Sequence, residues 1–150
     1  MDKTLNTGKI IALDVGSRRI GLAVSDAERT LAQPLLVLER AGRDADVAAI
    51  ARVAAEQGAV LLVLGLPRRD DDDSLGESAE KALALGKRLA RATGLPVAYV
   101  DEWATTAEAH ELLIEGGASR ARRRGVVDKL AAALILRRFL DGRGVEGEQG

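Results

Sequence analysis

The sequence predicts an α/β domain on a mixed five-stranded sheet, three antiparallel strands followed by a βαβαβ run, with helices on both faces. Three observations predict it. Three short runs rich in branched apolar residues succeed one another with brief polar breaks, the pattern of an antiparallel meander. At Asp44 the apolar period turns from strand-like to helical. Two further apolar runs then alternate with helical segments, as parallel strands and their crossover helices do.

Taken in order, "KIIALDVG" is the first strand, "SRR" breaks it, and "IGLAVSD" resumes as the second arm of a hairpin. Gln33-Pro34 punctuates the chain, and "LLVLER" is a third strand, placed at a sheet edge by the nearby proline. Val47, Ile50, Val53 and Ala54 recur at helical spacing, with Gly58 as the stop. "AVLLVLG" is a continuous apolar run suited to a strand covered on both faces. "LPRRDDDDSLGE" is a loop in which Ser74 and Glu77 fit a capping box, opening a helix that ends at Gly94. "VAYVD" is the fifth strand. Thr105 and Glu108 fit a second capping box, for a short helix ending at Gly116-Gly117. "ASRARRRG" is a basic loop, and the last helix runs from about Val126 to Leu140. Residues 1–140 form a single domain, and the tail 141–150, "DGRGVEGEQG", is disordered. This element order is that of a ribonuclease H-like domain, with strand 1 central and strands 4 and 5 parallel to it.

Composition narrows the chemistry. The absence of cysteine excludes disulfide scaffolds, thiolate zinc sites and cysteine nucleophiles. A single histidine, His110, excludes a histidine-rich metal site and a Ser/His/Asp triad. The polar N-terminus has no apolar core of a signal peptide, and "LAAALIL" is too short to span a bilayer, so the expected location is the cytoplasm. One Trp, one Tyr and one Phe cannot build a broad stacking platform for single strands.

The carboxylates are placed against their surroundings. Asp14 interrupts an apolar strand near its end, and burying a lone carboxylate costs several kcal/mol unless something compensates it. Asp101 and Glu102 close strand 5 on the same rim, where open α/β sheets bind ligands. Asp128 shares one helical stripe with Ala131, Ala132, Ile135 and Phe139. Acids that converge repel one another unless cations neutralise them, and Mg²⁺ or Mn²⁺ prefer such oxygen ligands. Two such ions roughly 4 Å apart activate a water and stabilise the leaving oxygen of a phosphodiester.

"LDVGSRRIGLAVSD", "VLGLP", "DEWATTAEAHELL" and "VVDKLAAALIL", in order across residues 10–140, resemble the YqgF/RuvX family. Its members are described as pre-16S rRNA nucleases and Holliday junction resolvases with a ribonuclease H-like fold related to RuvC. The resemblance implies that Asp14, Glu102 and Asp128 are the catalytic and metal-binding acids; the strand-end reading keeps Asp101 as an additional candidate ligand. It also implies a divalent-metal phosphodiesterase leaving a 5′-phosphate and a 3′-hydroxyl. Three features depart from the family pattern. Ser17 stands for a threonine and keeps the hydroxyl. Trp103 stands for an arginine after "DE", exchanging a cation for a ring that can stack on a base. Four aspartates, Asp70–Asp73, fill a loop that usually carries few charges.

Gly16 and Gly21 bracket the hairpin turn, and Arg18 and Arg19 stand beside Asp14 as candidate contacts to the cleaved strand. Arg120, Arg122, Arg123 and Arg124 lead to Asp128 and suit electrostatic capture of a nucleic-acid backbone, with Lys129 a further contact. The expected partner is a structured RNA precursor, with ribosomal particles, or branched DNA. A junction resolvase cuts two strands symmetrically and calls for a two-fold homodimer. Two readings of other classes compete. "DVGS" resembles the phosphate-binding hairpin of actin-like kinases, but those need two such domains and this chain holds one. A catalytically silent nucleic-acid-binding module is the other, against which all three acids speak.

Overall fold

The computed structural model describes residues 7–66, 77–101, 120–142 and 145–146, with the backbone alone for 77–78, 120–128 and 145–146. Its elements are β1 (Lys9–Val15), β2 (Arg19–Ser25), β3 (Ala32–Glu39), α1 (Arg43–Gln57), β4 (Ala59–Leu66), α2 (Glu77–Thr93), β5 (Val97–Asp101), α3 (Arg120–Leu140) and β6 (Val145–Glu146). The sheet order is β3-β2-β1-β4-β5-β6. β1 pairs antiparallel with β2 and parallel with β4, and β5 runs parallel to β4. The carboxyl ends of β1, β4 and β5 therefore share one rim, as expected of this architecture.

Alternation along the strands separates two cores. Ile11 and Leu13 of β1 pack with Leu22, Leu62 and Leu64 under Ile50 of α1 and Leu85 and Leu89 of α2. Ile10 and Ala12 face the other way, with Ala23, Val63, Ala98 and Val100, under Ala132, Ile135 and Leu136 of α3. Ile10, Ile11, Leu13, Leu62 and Leu64 are completely buried, which is why these strands read as unbroken apolar runs. Helix α1 stops at Gly58, whose φ of 69° is the left-handed conformation that glycine adopts most readily.

Three elements differ from the sequence reading. Strand β3 begins at Ala32, because Pro34 lies on the sheet's outermost strand, where its missing N–H breaks no ladder that the fold needs. Helix α3 begins at Arg120, so the arginine run is helical and not a loop. Arginine is a strong helix former, and a single Gly125 costs only about 1 kcal/mol. Asp128 is consequently the ninth residue of its helix, beyond the reach of an N-terminal dipole effect. The five expected strands are joined at the sheet's far edge by a sixth of only two residues, β6, within the stretch read as the tail. Val145 and Glu146 pair antiparallel with Val100 and Tyr99, a strand too short to leave a sequence pattern. Among the described residues, no helix is long and apolar enough to cross a membrane. The proposed boxes at Ser74 and Thr105, His110, the Gly116-Gly117 stop and the Asp70–Asp73 run lie outside the described residues.

Candidate active site

Asp14 is the sixth residue of β1, next to the strand's carboxyl end, and is half-buried. Alternation places it on the face of Ile10 and Ala12, the face that α3 covers. Its partner across the hairpin is Gly21. Directly paired residues project to the same side of a sheet, so Gly21 leaves the space beside the carboxylate empty of side chain. Arg19, two residues before Gly21, alternates onto that same face, whereas Arg18 is exposed at the hairpin tip.

Helix α3 runs back across the sheet toward this carboxylate. Arg137, near its C-terminus, donates from Nη2 to the carbonyl of Thr30 at 3.0 Å, in the β2–β3 connection at the opposite rim. Residue 128 lies nine positions earlier, roughly 14 Å along the axis. It is also three and four residues before Ala131 and Ala132, both fully buried against the sheet. The backbone at position 128 thus sits on the sheet-facing stripe, at the end of the helix nearer Asp14. Lys129 follows, half-buried. The side chains of Arg120, Arg122, Arg123, Arg124 and Asp128, together with Glu102 and Trp103, lie outside the described residues.

The sheet does not bring Asp101 to Asp14. Along β5, Ala98 and Val100 join the α3 core while Val97 and Tyr99 pack on the α1/α2 side. Asp101 shares the parity of Val97 and Tyr99, so the two aspartates leave the sheet on opposite faces. Among the described residues no three metal-ligating side chains form a cluster.

A second set of groups, not singled out by the sequence, fixes the hairpin tip. The amide of Gly16 donates to the carbonyl of Arg19 at 2.9 Å, and a Cβ on Gly16 would stand 2.9 Å from that oxygen, closer than side chains tolerate. The Arg40 amide donates to the Arg18 carbonyl at 2.8 Å. The Arg40 guanidinium donates from Nη1 to the Gly16 carbonyl at 2.6 Å and from Nε to Asp46 Oδ2 at 2.8 Å. Asp46 Oδ1 accepts from the amide of Ala41 at 2.8 Å. The Asp46 side chain is only 3% exposed and that of Arg40 30%. Burial raises the Asp46 pKa, but the Ala41 amide and Arg40 together outweigh it and hold the carboxyl below the usual carboxylate range. The only available signal was the helical position of Asp46, whose neighbours Val47 and Ile50 pack inward. Nothing in the spacing of Arg40 distinguished it from a solvated charge.

Comparison with known proteins extends this geometry. The family model described as "RuvX: Holliday junction resolvase" matches residues 8–142. A protein of Pelotomaculum thermopropionicum named "Putative pre-16S rRNA nuclease" is 46% identical over 137 residues, 91% of this chain and 88% of that protein. A protein of Paracoccus denitrificans with the same name is 42% identical over 135 residues, covering 90% and 85%. Among solved structures, T. thermophilus RuvC bound to a Holliday junction substrate superposes with a TM-score of 0.59. It is 18% identical, and the match covers 93% of this chain and 99% of that one. RuvC without the junction gives 0.54, at 17% identity, over 92% and 98%. At such identities the RuvC likeness speaks to the fold, and it is the ribonuclease H-like α/β fold that the element order predicts.

Proposed function

The chain belongs to the RuvX family, a family of nucleases, and on that premise we propose that it hydrolyses phosphodiester bonds at the 5′ end of the 16S rRNA precursor. The observation that carries the reading is the course of α3, which returns position 128 to the face and the rim that Asp14 occupies. Asp14, Glu102 and Asp128 hold the divalent metal in this reading, and their oxygen-only donor set suits Mg²⁺ or Mn²⁺, one ion or two. Asp14 fits the role on its own geometry, being a half-buried acid at a strand end with no side chain opposite it. Asp101, on the other face, is left outside the set. When bound, the ions neutralise the acids and supply a water acidic enough to attack phosphorus.

The remaining work belongs to the chain's own side chains. Arg19, on the Asp14 face, holds the cut strand's phosphate, and Arg18 and Lys129 flank it. Arg120, Arg122, Arg123 and Arg124, on the first two turns of α3, draw the polyanion toward position 128. Trp103 follows Glu102 and offers a ring for a base to stack on. Hydrolysis breaks the bond from phosphorus to the 3′ oxygen, leaving a 5′-phosphate and a 3′-hydroxyl. Work on a ribosomal precursor places the protein in the cytoplasm, in the company of ribosomal particles. A second reading, resolution of four-way DNA junctions, is favoured by the family description and calls for a homodimer.

The test is cleavage of an end-labelled panel in Mg²⁺ or Mn²⁺: a pre-16S fragment, single-stranded RNA, duplex DNA and a four-way junction. Cutting of the precursor by wild type and none by Asp14→Asn is expected. Symmetric cutting of the junction alone transfers the assignment to the resolvase. Binding without cutting of any substrate, equal in both proteins, overturns the enzymatic reading in favour of a silent module.

A further inference from the structure

On the α1/α2 side of the hairpin tip the surface sinks into a cleft of about 270 Å³, floored by Val15, Gly16 and Ser17 and walled by Arg40, Gly42 and Lys81. Past Arg40 and Lys81 it continues into a second hollow of about 320 Å³ beside Arg43 and Arg88. Val15 belongs to the α1/α2 face and Asp14 to the α3 face, so the cleft and the acid flank the same tip on its two sides.

Three properties suit this cleft to a phosphate. Four cations line the double hollow, Arg40, Arg43, Lys81 and Arg88, against one lining acid among the described residues, Asp46. Asp46 is buried against Arg40, and Asp44 pairs at 3.1 Å with Arg88. Next, Arg40 is held ready: Asp46 takes its Nε and the Gly16 carbonyl its Nη1, while Nη2 has no hydrogen-bond partner among the described residues. A guanidinium fixed on one edge loses little freedom when its other edge binds an oxyanion. Lastly, the backbone is bare. Gly42 begins α1 with no side-chain cap, and a Cβ built on it meets nothing within 4 Å, so a ligand can approach the first amides of the helix.

We infer that this cleft seats a backbone phosphate of the nucleic-acid strand, next to the one that is cut, with Arg40 and Lys81 as its contacts and Asp46 positioning Arg40. The inference rests on the nuclease reading for its ligand, but its test is one of binding. The full-length protein is titrated onto a fluorescein-labelled single-stranded RNA, in Ca²⁺ to prevent cutting, across a range of salt. Lys81→Gln, on the exposed face of α2, is expected to raise Kd about fivefold and to lower the slope of log K against log salt by about 0.7, one lost phosphate. Arg40→Lys keeps the charge but not the fork, and is expected to raise Kd with an unchanged slope. Wild-type Kd and slope in Lys81→Gln, with its thermal melt unchanged, would overturn the inference. So would equal displacement of the RNA by inorganic phosphate at the RNA's own phosphate concentration, because the site would then read the ion and not the strand. If wild type cuts no nucleic acid while Lys81→Gln still loses affinity and slope, the nuclease reading fails and the phosphate seat stands.

Discussion

Replacing Asp46 by alanine tests whether a buried ion pair holds the hairpin beside Asp14. The side chain is 3% exposed and accepts two hydrogen bonds, from Ala41 and from the Arg40 guanidinium, each 2.8 Å. Hydrogen bonds to a charged partner are worth about 1.5–3 kcal/mol each. An acid in the first turn of α1 adds about 0.3–1 kcal/mol. The upper end does not apply. Arg40 is 30% exposed and can turn its freed Nε to water, so the full penalty for stranding a buried charge is not incurred. About 3–4 kcal/mol remains, which in a chain of this length lowers Tm by roughly 6–16 °C. The assay is a reversible melt of wild type, Asp46→Ala, Arg40→Ala and the double variant, with cleavage measured on each. The cycle should show a coupling of about 1 kcal/mol or more, and activity should fall further than the unfolded fraction explains. Additive losses, or an Asp46→Ala melt indistinguishable from wild type, would refute the brace.

Three further outcomes are expected. Gly86 lies mid-helix in α2, where a Cβ would overlap the Tyr99 hydroxyl. Gly86→Ala should therefore destabilise the wild type, and cost less in Tyr99→Phe, where the hydroxyl overlap is gone and only the ring carbons at 3.1 and 3.2 Å remain, in urea unfolding. Ser25, 3% exposed, accepts the Ile10 amide at 2.9 Å, so Ser25→Ala should cost about 1–3 kcal/mol and speed exchange of that amide. Asp26 is held down to about 2, first by the Thr30 hydroxyl and then by the Leu31 amide, and Asp46 is likewise depressed. The stability these acids contribute is complete above the ordinary carboxylate pKa and lost as pH falls through the folded values. Tm should therefore hold to about pH 5 and drop from about pH 4 toward 2, and a carboxyl NMR titration of Asp26 with its midpoint near 4 would contradict this.

The fold was legible because its strands are buried and its helices periodic. "AVLLVLG" must lie between two layers, and Ala131, Ala132 and Ile135 mark the inner stripe of α3 whatever begins that helix. Its start was not legible, because a row of arginines followed by glycine satisfies both a basic loop and a surface helix. Asp14 was legible as an acid in an apolar strand. Asp101 was legible as an acid at a strand end but not in the face it takes, which only the alternation along β5 sets. Arg40 and Asp46 were hidden for another reason. Besides each other, their partners are the Gly16 carbonyl and the Ala41 amide, and backbone groups leave no trace in residue identity.

The order in which these parts are made has its own consequence. The bond from Arg137 to Thr30 joins positions 107 residues apart, and it fastens the helix that covers the Asp14 face. Contacts so distant in sequence form late. A chain emerging from the ribosome can pair β1 with β2 and β4 and lay α1 and α2 on one side while Ile10, Ala12 and Ala23 still await their cover. Asp14 is thus synthesised well before position 128, so the proposed acid set waits on the helix that carries its last member. On the proposed reading, a nascent chain that still lacks α3 has no complete acid set with which to cut RNA.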